Sequence, residues 1–92
     1  MSTKKQTKQQ VKQQIPKWFN GEIYTKGETV TNPFSKEDFY LNGLELSIYD
    51  FIMGTQAVFE MGLEDKSLIS DFQKALRWFQ KNNVNAYMVL LD

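Results

Sequence analysis

Residues 43–61, GLELSIYDFIMGTQAVFEM, are a long apolar segment that any fold of this 92-residue chain has to accommodate. Asn42, followed three residues later by Glu45, has the spacing of a capping box with Asn in place of Ser or Thr. Gly62 suits the left-handed position that ends a helix. A helix over residues 43–61 is therefore predicted. At the α-helical period Leu44, Ile48, Phe51, Ile52, Val58 and Phe59 fall on one stripe. Leu46, Tyr49, Met53, Ala57 and Met61 lie roughly opposite, and Glu45, Asp50, Gln56 and Glu60 fill the narrow strips between. A helix apolar on two sides has to be covered on two sides. One cover is expected from a second helix, the other from a hairpin or from another subunit.

That second helix is predicted to begin near Asp65 or Ser67 and to run to about Lys81. Leu68, Ile69, Phe72, Ala75, Leu76 and Phe79 make its apolar face, and Lys66, Ser70, Gln73, Lys74, Arg77 and Lys81 its polar face. Trp78 sits at the edge of the apolar face and is expected to be partly buried. The short connection makes the two helices antiparallel neighbours. Asn82-Asn83 are expected to end the helix through a left-handed cap. Residues 83–92 fit a strand or a short helix, of which a short helix capped by Asn83 is preferred.

Ahead of the helices, aromatic and β-branched residues alternate between two glycine-containing turn signals. The preferred reading is a β-hairpin with strands at residues 19–24 and 28–31 joined through Lys26-Gly27; a turn at Asn20-Gly21 would leave shorter strands. Asn32-Pro33-Phe34-Ser35 breaks the second strand, and residues 35–41 are expected to be a loop whose aromatics, with Phe34, Phe39 and Tyr40, are pinned onto the helices. The fold class is α+β: an N-terminal β-hairpin packed on an antiparallel two-helix hairpin, with a short C-terminal helix or strand. One domain over residues 16–92 is expected, preceded by a disordered Lys/Gln-rich arm over residues 1–15.

The sequence contains no His and no Cys. Imidazole- or thiolate-based catalysis, zinc and iron-sulfur sites and disulfides are thereby excluded. Carboxylates are the remaining general acid or base candidates. Glu45, Asp50 and Glu60 share the first helix without i, i+3 or i, i+4 pairing, and Glu37-Asp38 and Glu64-Asp65 are adjacent pairs that rarely aim at one point. Solvated acids and helix caps are the expected roles. The chain has no GxGxxG, no GxxxxGK[ST] and no DxDxDG. It is expected not to be an enzyme and to need no cofactor or metal.

The net charge of zero conceals an asymmetry. Lys4, Lys5, Lys8, Lys12 and Lys17 put five positive charges and no acid in the first 17 residues, leaving six basic and eleven acidic residues in the rest. No apolar run approaches a membrane span, and the first 15 residues lack the apolar stretch of a signal peptide, so a cytoplasmic protein is expected. The lysine-rich arm together with Trp18, Phe19 or Tyr24 suits phosphate contact and base stacking, against which stands the acidic body. Lys4, Lys5, Lys8, Lys12, Lys17 and Trp18 are the candidate nucleic-acid contacts. Leu46, Tyr49, Met53, Gly54, Ala57, Met61 and Trp78 are the candidate interface, with Gly54 admitting a close helix crossing.

The strings Trp18-Phe19-Asn20-Gly21, Asn32-Pro33-Phe34-Ser35, Leu46-Ser47-Ile48-Tyr49-Asp50-Phe51-Ile52-Met53-Gly54 and Ala86-Tyr87-Met88-Val89-Leu90-Leu91 resemble small proteins without assigned activity encoded by marine tailed phages, cyanophages especially, and found in ocean metagenomes. The resemblance covers residues 17–92. It implies a virus-encoded accessory protein acting in the cytoplasm of an infected bacterial cell, or a minor virion component, and carries over no site residue. The function expected is a non-enzymatic protein-interaction module that pairs with itself as a homodimer and with an unidentified protein. The alternative is a nucleic-acid-associated accessory protein using the basic arm and the aromatic hairpin.

Overall fold

A computed structural model describes residues 13–91. Strands β1 (Glu28–Thr31) and β2 (Asp38–Leu41) precede helices α1 (Gly43–Glu60) and α2 (Lys66–Asn82). A short C-terminal helix, α3 (Val84–Ala86), continues as a wider π-helical turn over Tyr87–Leu91. The arrangement is α+β, with a two-stranded antiparallel hairpin followed by an antiparallel pair of helices. The Lys/Gln-rich arm up to Lys12 lies outside the described residues.

The helix ends follow from local chemistry. The Asn42 side chain accepts a hydrogen bond from the Glu45 backbone N–H at 2.8 Å, and the Glu45 carboxylate accepts from the Asn42 N–H at 2.9 Å, completing the capping box. At the other end the N–H of Gly62 donates to Phe59 at 2.9 Å and that of Leu63 to Val58 at 3.3 Å. These bonds satisfy carbonyls left over by the last turn, and they need Gly62 at φ 88, where a Cβ would be strained. Asp65 caps α2 by accepting from the Leu68 N–H at 3.1 Å. Asn83 ends α2 differently from the sequence expectation. Its backbone is extended, at φ −158, and its side chain accepts from the Ala86 N–H at 3.2 Å, so one residue closes α2 and opens α3.

The hairpin lies one strand later than the sequence suggests. Residues 28–31 do form a strand, but their partner is Asp38–Leu41, within the predicted loop, and residues 19–24 form none. Val30 pairs with Phe39 and Glu28 with Leu41, which turns Val30, Phe39 and Leu41 inward. Asn32 organises the connection. Its side-chain oxygen accepts from the N–H groups of Phe34 and Ser35, at 2.8 and 3.2 Å, and Lys36 takes the left-handed conformation at φ 68. The amide of Asn32 also donates to the Val89 carbonyl at 2.8 Å, tying the hairpin to the C-terminal segment. Phe34, at the tip, is 93% exposed and Tyr40, on the outward side of β2, is 60% exposed; only Phe39 of the three aromatics is held against the core.

The segment expected to be the first strand is instead an irregular strap across α1. Trp18 and Phe19 pack on Phe51 with ring centroids 6.0 and 6.1 Å away, and the Tyr24 N–H donates to Ser47 Oγ at 2.8 Å. Its backbone thus bonds to a helix side chain instead of to a ladder. Gly27 and Gly43 permit this course. A Cβ on Gly27 would overlap the Leu41 carbonyl, and one on Gly43 the Tyr24 carbonyl.

Strap, sheet, α2 and the C-terminal turn enclose the start of α1. Residues 45–49 are all buried, more than one full turn, so the helix has no solvent side there. Glu45 lies in that turn, and its Oε2 accepts from the side-chain amides of Gln13 at 2.8 Å and Asn83 at 2.9 Å. The core continues through Leu41, Ile48, Ile52, Ala75, Phe79 and Ala86, all fully buried.

Replacing Glu45 by Ala keeps the Asn42 cap but removes the carboxylate half of the capping box and leaves the amides of Gln13 and Asn83 without their acceptor, and should lower unfolding stability by about 3 kcal/mol. The isolated cap change Asp65→Ala should cost about 1 kcal/mol. Denaturant melts in which the two variants lose the same amount would show that Glu45 acts as a cap and nothing more.

Candidate functional site

The helical hairpin has two unlike halves. Between positions 45 and 55 α1 contributes seven buried residues, and α2 contributes Ala75 and Phe79. From residue 56 to residue 74 no residue is buried, although this stretch carries Ala57, Val58, Phe59, Met61, Leu63, Leu68, Ile69 and Phe72. Phe59 and Phe72 meet edge to face at 5.4 Å and hold the two helices together there. Around them Met61 is 70% and Leu63 57% exposed, and Ala57 and Ile69 are also open to solvent.

This division sorts the predicted interface residues. Leu46 and Tyr49 are buried within the chain itself and are not available as a surface, because the enclosed first turns of α1 cover both of its apolar sides. Met53 is half-buried at the transition. Gly54, Ala57 and Met61 are exposed, and a Cβ placed on Gly54 meets nothing within 4 Å, so among the described residues no element makes the close crossing that a mid-helix glycine suggests. Trp78 is half-buried as expected, but on another side of α2.

Four of the carboxylates are engaged in local structure. Glu45 and Asp65 cap helices, Asp38 accepts from the Thr31 hydroxyl across the hairpin at 2.6 Å, and Asp50 accepts from the Tyr24 hydroxyl at 2.6 Å. Among the described residues no three acidic side chains come close enough to hold a metal ion, and no helix is long and apolar enough to cross a membrane. Two tyrosines feel Asp50. The hydrogen bond that Tyr24 donates to it, and then its negative charge, push the Tyr24 phenol above its ordinary pKa of 10.0. Burial, and then the charge of Asp50, push Tyr49 the same way.

A second feature combines residues that sequence reasoning left apart. Trp18, from the strap, and Trp78, from α2, line an open groove of about 480 Å³ together with Lys74, Arg77 and Lys81. The cations and Trp78 occupy positions i, i+3, i+4 and i+7 of α2 and therefore one face of the helix. Gln14 and Asn82 complete the lining. The i, i+3, i+7 spacing of the cations was visible in the sequence; the arrival of Trp18 beside them was not, because it depends on the strap. Of the predicted nucleic-acid contacts, Trp18 lies in this groove, Lys17 is exposed next to it in sequence, and Lys4, Lys5, Lys8 and Lys12 fall outside the described residues. The aromatic hairpin expected to assist them does not form. Phe19 is buried and the Tyr24 hydroxyl is held by Asp50.

Comparison of the chain with protein-family models, with curated proteins and with solved structures finds no significant match.

The tyrosine environments predict an alkaline titration. A raised folded-state pKa contributes stability that is complete below pH 10.0, the unfolded value, and is lost as pH climbs through the folded values. Phenolate absorbance should show Tyr24 and Tyr49 ionising above 10.0, and Asp50→Asn should return Tyr24 toward 10.0 while Tyr49 stays raised by burial. An alkaline titration that Asp50→Asn leaves unchanged would contradict the assignment.

Proposed function

We propose that this protein is a non-enzymatic interaction module that pairs with a second copy of itself through the outer half of its helical hairpin. The observation that carries the reading is the run from residue 56 to residue 74, in which Ala57, Met61, Leu63 and Ile69 are exposed and Val58, Phe59, Leu68 and Phe72 are only half-buried. Exposed apolar surface concentrated on one element marks an interaction site more often than scattered exposure does. Two hairpin tips laid against each other would use the same patch on both copies, the self-complementary arrangement of a two-fold dimer. Gly54 and Ala57 present little side-chain bulk on the exposed side of α1 and would let the helices approach closely. The resemblance to small marine-phage proteins supports placing such a dimer among virus-encoded accessory proteins of the bacterial cytoplasm, where a further protein would be its target.

The expected strength follows from the surface available. Covering the exposed parts of Met61 and Leu63 on both copies is worth roughly 6–8 kcal/mol at about 1.5–2 kcal/mol per side chain. The loss of free motion on association, about 4–15 kcal/mol, offsets most or all of this, so only a weak, readily dissociating dimer is expected.

Sedimentation velocity at hundreds of micromolar and above should therefore show a dimer that dissociates on dilution. The pair Ala57→Glu and Met61→Glu, at exposed positions, should give a monomer with an unchanged far-ultraviolet spectrum. A wild type that sediments as a monomer at such concentrations rejects self-pairing.

A further inference from the structure

We propose that the groove between Trp18 and Trp78 is a binding site for single-stranded nucleic acid, with unpaired bases stacking on the indoles and phosphates held by Lys74, Arg77 and Lys81. The proposal uses a different face of the molecule from the self-pairing surface and does not rest on it.

The chemistry of the lining selects the ligand. Trp18 is propped against Phe19 and Phe51, with centroids 5.9 and 6.0 Å away, and Trp78 against Phe79 at 5.2 Å, yet both remain only half-buried. Half-buried aromatic rings beside a row of cations suit single strands, in which every base has a face to stack and every linkage a negative charge. A duplex keeps its bases paired and could offer only its phosphates. The Asn82 amide donates to the Trp78 carbonyl at 3.0 Å, which leaves its side-chain oxygen and the exposed Gln14 amide as polar partners for a base edge.

The charge distribution points the same way. The acidic residues that give the body its negative balance are not spread evenly. α1 carries Glu45, Asp50 and Glu60 with no base, whereas α2 carries Lys66, Lys74, Arg77 and Lys81 against Asp71 alone. An anionic strand approaching the polar face of α2 therefore meets local attraction despite the acidic average. The chain's own Lys/Gln-rich N-terminus has the same sign as the groove and is a poor occupant of it.

The chain has two tryptophans, both in the groove, so intrinsic emission reports on this site directly. Titrating the full-length protein with a short oligothymidylate at low salt should quench tryptophan emission to saturation, with affinity falling as salt rises. Because log K on a single strand changes with log salt by about −0.7 per phosphate contact, Lys74→Ala with Arg77→Ala should flatten the slope by about 1.4 and weaken binding roughly 20-fold near 0.1 M salt. Lys81→Gln alone, at an exposed position, should weaken it about 5-fold on the same relation. Three results would overturn the proposal: no quenching at low salt, equal quenching by poly-glutamate or inorganic phosphate, or undiminished binding by both variants with helical content intact.

Discussion

Glu45 is the point at which the structure is tied. A carboxylate this deeply buried is costly unless its oxygens are supplied with hydrogen-bond donors, and here three groups supply them: the Asn42 backbone and the amides of Gln13 and Asn83. The donors come from the entry segment, the start of α1 and the junction between α2 and α3. Gln13 and Asn83 lie 32 and 38 positions away along the chain. Asn42 also donates to the Gln13 side chain at 3.0 Å, closing the network into a ring. With these segments drawn together, the first turns of α1 have protein on every side, and the strap and hairpin are left only one place to lie.

The same constraint explains what the structure leaves open. The polar network, the strap and the sheet all gather at one end of the helical hairpin, and among the described residues no further segment covers the other. α1 keeps its apolar character to Met61, beyond the reach of its own covering, so the excess faces solvent as a patch. Charge is partitioned by the helices in a comparable way, acids on α1 and most bases on α2, and the strap brings Trp18 to the basic side. Two surfaces of different chemistry result, an apolar tip suited to a second copy and a basic aromatic groove suited to an anionic strand.

Helix limits were legible in the sequence because their causes are local: Asn42 with Glu45, Gly62, Asp65 and Asn83 each act within a few residues. The hairpin was misplaced for a reason that is not local. Residues 19–24 alternate as a strand would, but Trp18 and Phe19 find a better partner in Phe51, and the Tyr24 N–H finds Ser47. Gly27 and Gly43 look like turn residues and serve instead as points of close backbone contact. The true turn was read as a strand breaker, since Asn32-Pro33-Phe34-Ser35 fits both roles until the Asn32 side chain is seen holding the loop. The two-sided apolar pattern of α1 was read correctly, yet half of its second side, at Leu46 and Tyr49, is covered from within. Sequence periodicity reports that a face needs a cover without saying which part of the chain provides it.

Amide hydrogen exchange resolved along α1 and α2 tests this division most directly. Amides between positions 46 and 54 and between 75 and 82 should be protected to near the global unfolding limit at any protein concentration. Those between 57 and 72 should exchange through smaller openings in dilute solution and become slower as concentration rises and the tips are covered. Uniform protection along both helices, unchanged by concentration, would contradict the account.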